Sequence, residues 1–308
     1  MQKSMRNVQN IQYNTFDIEH FSLVNNYRVV QKGDFRLTHY TSSEVEGTLC
    51  FATDQINIRR AIRNDKVHSI ITTDDLAKGM NTSKGIITSD SPKKLFFEIH
   101  NALADHYRFE NKEIQVAASA EVHTTAIIKA GVFIGERTRI GAYAVIEEGT
   151  VIGDDVLIDH HAIIGARGMH NTNIDGRFIS VADLGNVVIG DRCEILSHAV
   201  IQRPYFYHSS TIGEETRISV HCNIGHGCRI GDKCLIAGHT VMAGYCSIGN
   251  NVWIGPNSTI TQMTKIGDEA SIMLGSVVVG DVAPSEKVSG NFAYDHLKNF
   301  RRFVRDKR

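Results

Sequence analysis

The chain has no stretch of about 18 consecutive apolar residues, so it offers no candidate for a membrane-spanning helix. It also lacks a charge surplus. Its 33 basic side chains stand against 34 acidic ones, which argues against a nucleic-acid binder that relies on bulk positive potential. Residues 1–26 contain no apolar core of the kind a secretory signal peptide needs. These absences lead us to expect a soluble, cytoplasmic enzyme or scaffold, with 308 residues allowing two domains of ordinary size. What is plentiful is histidine, with 15 residues, alongside 6 cysteines, a combination that in an intracellular chain first suggests metal or thiol chemistry. Position within the chain tests that suggestion.

From Val122 onward a bulky aliphatic residue recurs at every sixth place. One run extends from Val122 to Ile164, a short one covers Ile189, Ile195 and Ile201, and a third extends from Ile212 to Val278. Amphipathic helices and alternating strands have periods of 3.6 and 2 and cannot produce this. Two residues before each aliphatic position in the third run stands a smaller residue, such as Thr216, Cys222, Cys228, Cys234 or Thr240. A bulky and a small inward residue describe one short flat face with a tight corner. Three faces per coil predict a left-handed parallel β-helix, a prism of between seven and eight coils and roughly 35 to 40 Å long at the spacing of parallel strands. Cys193, Cys222, Cys228, Cys234 and Cys246 fall on the small inward position and read as packing, since free Cys behaves as a small hydrophobe. Cys50 lies in the apolar run GTLCFA and reads as core.

The period breaks twice, predicting loops at 165–186 and 202–210 that leave the prism wall. Such loops either carry function or are ornamental; function is more often found on loops than on the scaffold beneath them. Residues 1–112 have another texture, in which strand-like runs (YRVV, TLCFA, HSIITT) alternate with helical stretches. One helix starts at Ser91-Pro92 and shows an apolar stripe of Leu95, Ile99 and Leu103. The expected organisation is therefore mainly β: an N-terminal α/β domain over 1–112, the β-helix over 113–284, and a C-terminal extension with a short helix over 285–308. In that extension Leu297, Phe300 and Val304 share a face, and the basic tail is either solvated or a docking surface for something acidic.

The order of these parts resembles the UDP-3-O-acylglucosamine N-acyltransferases of lipid A synthesis, from about residue 36 to the end. Three stretches carry the resemblance: SSEVEGTLCFATD, GARGMHNTNIDGRFISVADLGNVVIGDRCEI and RISVHCNIGHGCRIGDKCLIAGHTVMAG. It implies a homotrimer with active sites between neighbouring prisms, and it places the family's catalytic histidine on His226. Imidazole suits that role, because a sugar amine must lose a proton to attack a thioester near neutral pH. Gly244, one coil beyond, falls where related enzymes use a backbone N–H to hold the oxyanion. Phe51, Asp54 and Asn57 match positions that sandwich and bind a uracil ring, and His170 and Asn171 occupy the family's Gly-Phe-Gly-Tyr loop, where they are candidates for sugar or diphosphate contact. The chain departs from the family at Ser219, where an Asp is usual, at Met263, where a second His is usual, at Asp54, where an Asn is usual, and at Asn57, where a second aromatic is usual, so that one stacking face survives. The implied activity is transfer of an acyl group from acyl-CoA or an acyl carrier protein to a nucleotide-activated amino sugar, in lipopolysaccharide or O-antigen synthesis. The lipid A enzyme itself is the alternative, and neither requires a metal or a tightly bound cofactor.

His221-x-x-x-x-His226 also resembles part of the zinc site of γ-class carbonic anhydrases, in which three imidazoles are needed. The third position falls near Ser180 and is not His. Instead His198, His221 and His239, followed by Asn257, share one phase in successive coils and should stack about 5 Å apart as a ladder lining a sugar or acyl-donor groove. His160 and His161 form a corner pair that either lines the sugar site or lies on the surface.

Overall fold

A computed structural model describes residues 15–19, 27–104 and 113–290, together with residues 295, 297, 298 and 305. The prism is the larger part. Its two-residue strands form three parallel walls: a first of eight strands from Ile127–Ile128 to Val277–Val278, a second of eight from Gln115–Val116 to Lys265–Ile266, and a third of nine from Glu121–Val122 to Lys287–Val288. Within the third run each strand pairs with the one eighteen residues on, as Arg217 does with Leu235 and Asn223 with Val241. The second residue of each strand points inward, and Ile134, Ile146, Ile158, Ile224 and Ile254 are fully buried in one continuous core. This is the expected left-handed parallel β-helix.

The corners explain the rest of the hexad. At each corner one residue takes a left-handed backbone conformation, with φ between 56° and 62° at Arg137, His198, His221, Lys233, His239 and Met263 among others. That conformation costs an L-residue roughly 1–2 kcal/mol. Its N–H is satisfied by a carbonyl one coil back, as from Lys233 to Glu214 and from Asn251 to Asp232. The small inward residue has a matching duty. Cys222 Sγ donates to the Ala237 carbonyl at 3.1 Å and Cys234 Sγ to that of Gly249 at 3.0 Å, as the Thr216 hydroxyl does to Gly231 at 2.8 Å. Cysteine is thus placed where a small side chain with one donor fits. All six cysteines are buried and unpaired.

The prism extends further than the sixfold period suggests. Lys287–Val288 adds a ninth strand to the third wall, pairing with Ser271–Ile272 at an offset of sixteen rather than eighteen residues, which is why the hexad count loses it. This strand lies beyond the expected boundary at 284. Of the C-terminal extension beyond 290, Leu297, Lys298 and Arg305 are helical, while Phe300 and Val304 lie outside the described residues.

The N-terminal part holds a five-stranded sheet in the spatial order Arg28–Gln31, Gly85–Thr88, Val67–Thr72, Thr48–Phe51, Leu37–Thr38, parallel except for the first pair. Helices α1 (Gln55–Arg63), α2 (Asp74–Ala77) and α3 (Pro92–Ala104) flank it. Helix α3 begins at the expected Pro92 and buries Leu95, Ile99 and Leu103. Its core is shared with the prism insertions: Phe96 and Leu49 pack in one cluster with Ile174, Val181 and Leu184 from the first insertion and Phe206 from the second. Asn101 ties the contact by accepting from Ala182 N–H and donating to the Ser180 carbonyl, each at 2.9 Å. Arg229 on the second wall reaches Glu44 at 2.9 Å.

Two consequences for the thiols can be measured. Burial pushes Cys50 and Cys193 up to about 12, so a thiol reagent at neutral pH should label the native protein far more slowly than the denatured chain, which should titrate all 6. Cys234→Thr should change unfolding free energy by less than about 1 kcal/mol, whereas Cys234→Leu should cost about 1–3 kcal/mol through overpacking, as read from urea melts.

Candidate functional site

Both insertions leave the same corner, the one between the first and second walls. The first runs from Ile163–Ala166 to Asn186–Ile189 and contains an antiparallel hairpin, Asn171–Ile174 with Arg177–Ser180. The second runs from Val200–Gln202 to Ser209–Ile212. In the next coils the same corner is turned by His226-Gly227 and Gly244-Tyr245. The insertions therefore fold over His226.

His226 lies directly over Gly244. A Cβ on Gly244 would come within 2.5 Å of His226 Cε1 and 2.6 Å of Nε2, so only glycine admits the imidazole there. The His170 ring meets the His226 ring edge to face, with centroids 4.7 Å apart, and Tyr205 and Tyr245 close the surround at 5.5 and 5.0 Å. The Tyr205 hydroxyl is hydrogen-bonded to that of Tyr40 from the N-terminal domain. His170 is itself buried, and its Nδ1 is hydrogen-bonded to the buried Asp183 carboxylate. Arg167 Nε stands 3.3 Å from the other Asp183 oxygen. Among the described residues three imidazole nitrogens, His170 Nε2, His208 Nδ1 and His226 Nδ1, are buried with no hydrogen-bond partner. His170 and His226 line a pocket of about 200 Å³ together with Tyr40, Phe97, Asn171, Tyr205 and Gln262, among others. Burial, followed by the neighbouring His170, lowers His226 to about 4, so it is neutral with a free lone pair at physiological pH.

The structure thus brings together His226, Gly244, His170 and Asn171. The other sequence candidates stand apart. Phe51 is half-buried and packs on Phe96 at 4.9 Å and Phe97 at 6.3 Å, one ring removed from the pocket. Asp54 caps helix α1, accepting from Ile56 and Asn57 N–H and from the Asn57 side chain, so its carboxylate is occupied locally. His221, His239 and Asn257 lie on a different corner, between the third and first walls. There His198, His221 and His239 stack at 4.9 and 5.0 Å, as expected, and the ladder continues through His161 to Tyr143 at 4.9 and 5.1 Å. His161 belongs to this ladder, while its neighbour His160 accepts from Ala142 N–H. Asp183, Tyr205 and Tyr40 escaped sequence reasoning. The aromatic run PYFYH in the second insertion was the available signal for Tyr205. Nothing local marks Asp183. Among the described residues no group of three or more His, Cys, Asp or Glu converges as a metal site.

Residues 131–166 match the bacterial transferase hexapeptide family (six repeats), and residues 245–279 match the hexapeptide repeat of succinyl-transferase. Both matched stretches lie in the prism walls. A bifunctional protein GlmU from Anaplasma marginale is 28% identical over 200 residues, 64% of this chain and 39% of that protein. An acyl-[acyl-carrier-protein]–UDP-N-acetylglucosamine O-acyltransferase from Campylobacter concisus is 28% identical over 197 residues, 56% of this chain and 71% of its own. The UDP-N-acetylglucosamine acyltransferase of Francisella novicida has a solved structure with a TM-score of 0.47 at 25% identity, covering 62% of this chain and 71% of that one. The chain spans between 39% and 50% of the length of the first GlmU relatives it matches.

Three further histidines pack between the N-terminal domain and the prism, and burial lowers His39 and His100 to about 4 and His208 to about 3. His100 shows the neutral form directly, facing the Thr38 hydroxyl with Nδ1 at 2.6 Å and the Ala182 carbonyl with Nε2 at 2.9 Å. An unfolded histidine titrates near 6.5, so between that pH and about 4 the unfolded chain takes up protons that the folded one refuses. Stability is complete above pH 6.5 and falls with acidification, by about 1.4 kcal/mol per pH unit for each fully buried histidine. Urea midpoints measured at pH 7.5 and pH 5 should show this loss, and His208→Phe should make the decline shallower.

Proposed function

We propose that the protein is an acyltransferase that moves an acyl group from a thioester, on coenzyme A or an acyl carrier protein, to the amino group of a nucleotide-linked amino sugar. The observation that carries this reading is the seating of a neutral, half-buried His226 on Gly244 at the mouth of a pocket roofed by the two insertions. A general base must hold its lone pair free at the working pH, and desolvation keeps His226 in that state. The relative from Campylobacter concisus is named for a UDP-sugar acceptor and a carrier-protein donor, and the same substrate classes account for a prism joined to a second domain here. Cell-surface polysaccharide or lipopolysaccharide synthesis in the cytoplasm is the setting that suits such substrates. No step in the scheme calls on a tightly bound cofactor.

The chemistry follows from the geometry. His226 removes a proton from the attacking amine, the thioester carbonyl carbon becomes tetrahedral, and the Gly244 N–H serves as a donor to the oxyanion. The absence of a Cβ at 244 lets the His226 imidazole seat against the backbone there. Asn171 stands at the rim of the pocket, where it can reach the sugar or diphosphate. Phe51 remains the candidate platform for the base, beside Phe97. Asp54 would bind it only by giving up its cap on helix α1, and we therefore assign it the lesser part.

A homotrimer would complete the arrangement. The outward residues of the first wall form a mostly apolar column, Ile127, Val145, Ile163, Val200, Val241 and Val277, interrupted by Asn223 and Thr259, and Ile127, Val241 and Val277 are 51%, 43% and 59% exposed. That column separates the His226 corner from the His221, His239 and Asn257 ladder. A second copy docked on it would bring a ladder toward the pocket, whereas within one chain His221 and His226 cannot share a ligand because they occupy different corners.

His226→Ala should lower thioester-dependent thiol release by at least about 10²-fold with KM for the acceptor little changed, assayed with UDP- and dTDP-linked amino sugars. Gly244→Ala, which forces a methyl into the imidazole, should lose activity to a similar degree. Thiol release unchanged in His226→Ala would refute the assignment.

A further inference from the structure

The Asp183–His170 pair is not accounted for by a single-base mechanism. The His170 side chain is 1% exposed and that of Asp183 6%, and the two are hydrogen-bonded through Nδ1. A carboxylate accepts only, so in the neutral ring the shared proton sits on Nδ1 and Nε2 carries the lone pair. That lone pair has no partner, and neither does Nδ1 of His226, whose ring is 4.7 Å away. Two unpartnered basic nitrogens buried at one pocket cost stability and call for a ligand that supplies protons. Asp183 is in turn held by Arg167 at 3.3 Å, with Arg203 at 4.0 Å, so the pair is braced from behind.

A count of protons gives the pair a purpose. An acceptor hydroxyl has one proton to lose on acylation. An amine that arrives as ammonium has two, one before attack and one after. We infer that the pocket is a two-base site for a protonated amine acceptor, in which His170 takes the first proton, His226 the second, and Asp183 is a positioning residue that fixes the His170 tautomer. The inference rests on the acyltransferase reading above and adds to it the protonation state of the arriving amine and the base that takes each proton.

The steps balance. His170 Nε2 removes one N–H proton from the ammonium, and the freed lone pair forms the C–N bond at the thioester carbonyl carbon. His226 takes a second N–H proton and delivers it to the sulfur as the C–S bond breaks. The products are the amide, the free thiol and one proton on His170, which passes to water when the pocket empties.

The test is thiol release by wild type, His170→Gln and Asp183→Asn between pH 6.5 and 9, with a UDP-linked amino sugar and an acyl thioester. An amine with a pKa of about 8 is only about 3% free at pH 6.5 and mostly free at pH 9. Both variants should therefore be at least about tenfold slower in kcat at pH 6.5, with KM within about threefold, and should approach the wild-type rate by pH 9 because the acceptor then arrives deprotonated. A deficit of constant size across this range, or none, overturns the two-base inference while leaving the acyltransferase reading in place. A wild type inert with every amino sugar overturns both. Should the variants fail to fold, nitrogen-15 shifts of His170 in the wild-type protein decide: a proton on Nδ1 with Nε2 bare supports the inference, and the opposite tautomer contradicts it.

Discussion

Each coil of the prism hydrogen-bonds its backbone to the next at an interval of eighteen residues, and that register places everything else in the chain. It turns a sixfold period into three flat walls and stacks equivalent corners above one another. Because corners repeat, a side chain suited to one corner can repeat too. One corner carries Asp154, Asp191, Asp232 and Asp268, with carboxylates that cap backbone N–H groups of the coil before, at 2.8 Å in the first three cases and 2.7 Å in the last. The second carries the stacked histidines. The third is interrupted, and there the regular ladder gives way to insertions and to a pocket.

The same register explains what could be read from the sequence. The walls, the inward cysteines and the two breaks all follow from position modulo six, and helix α3 follows from its Ser-Pro start and a 3.6-residue stripe. The limits have the same cause. The final strand Lys287–Val288 joins at an offset of sixteen, and His161 stands thirty-seven residues before His198 because an insertion intervenes, so neither shows in a count of eighteens. The pocket is harder still. His226 and Gly244 are one coil apart and hence legible as a pair, but Asp183, Tyr205 and Tyr40 reach it from two insertions and another domain, where no period links them.

Burial of uncharged imidazole is the energetic theme of the junction. His39, His100, His208 and His226 are all pushed well below their ordinary range by loss of solvent. For His100 the penalty is offset by hydrogen bonds on both nitrogens, which is a structural solution. For His208, as for His226 and His170, one nitrogen is left unsatisfied. His226 and His170 differ in lining the pocket, where a ligand would supply the missing partner, whereas His208 packs against the rings of His39 and Tyr245. Nine of the 15 histidines fall into three groups: an exposed ladder of four, a buried joint of three and the pair proposed as bases.

The most direct test of the account is a crystal structure of the protein with the amide product of a UDP-linked amino sugar. The account predicts the amide nitrogen in the pocket beneath the insertions, within about 3 Å of an imidazole nitrogen of His226 or His170. Product bound elsewhere, with both imidazoles untouched, would contradict it.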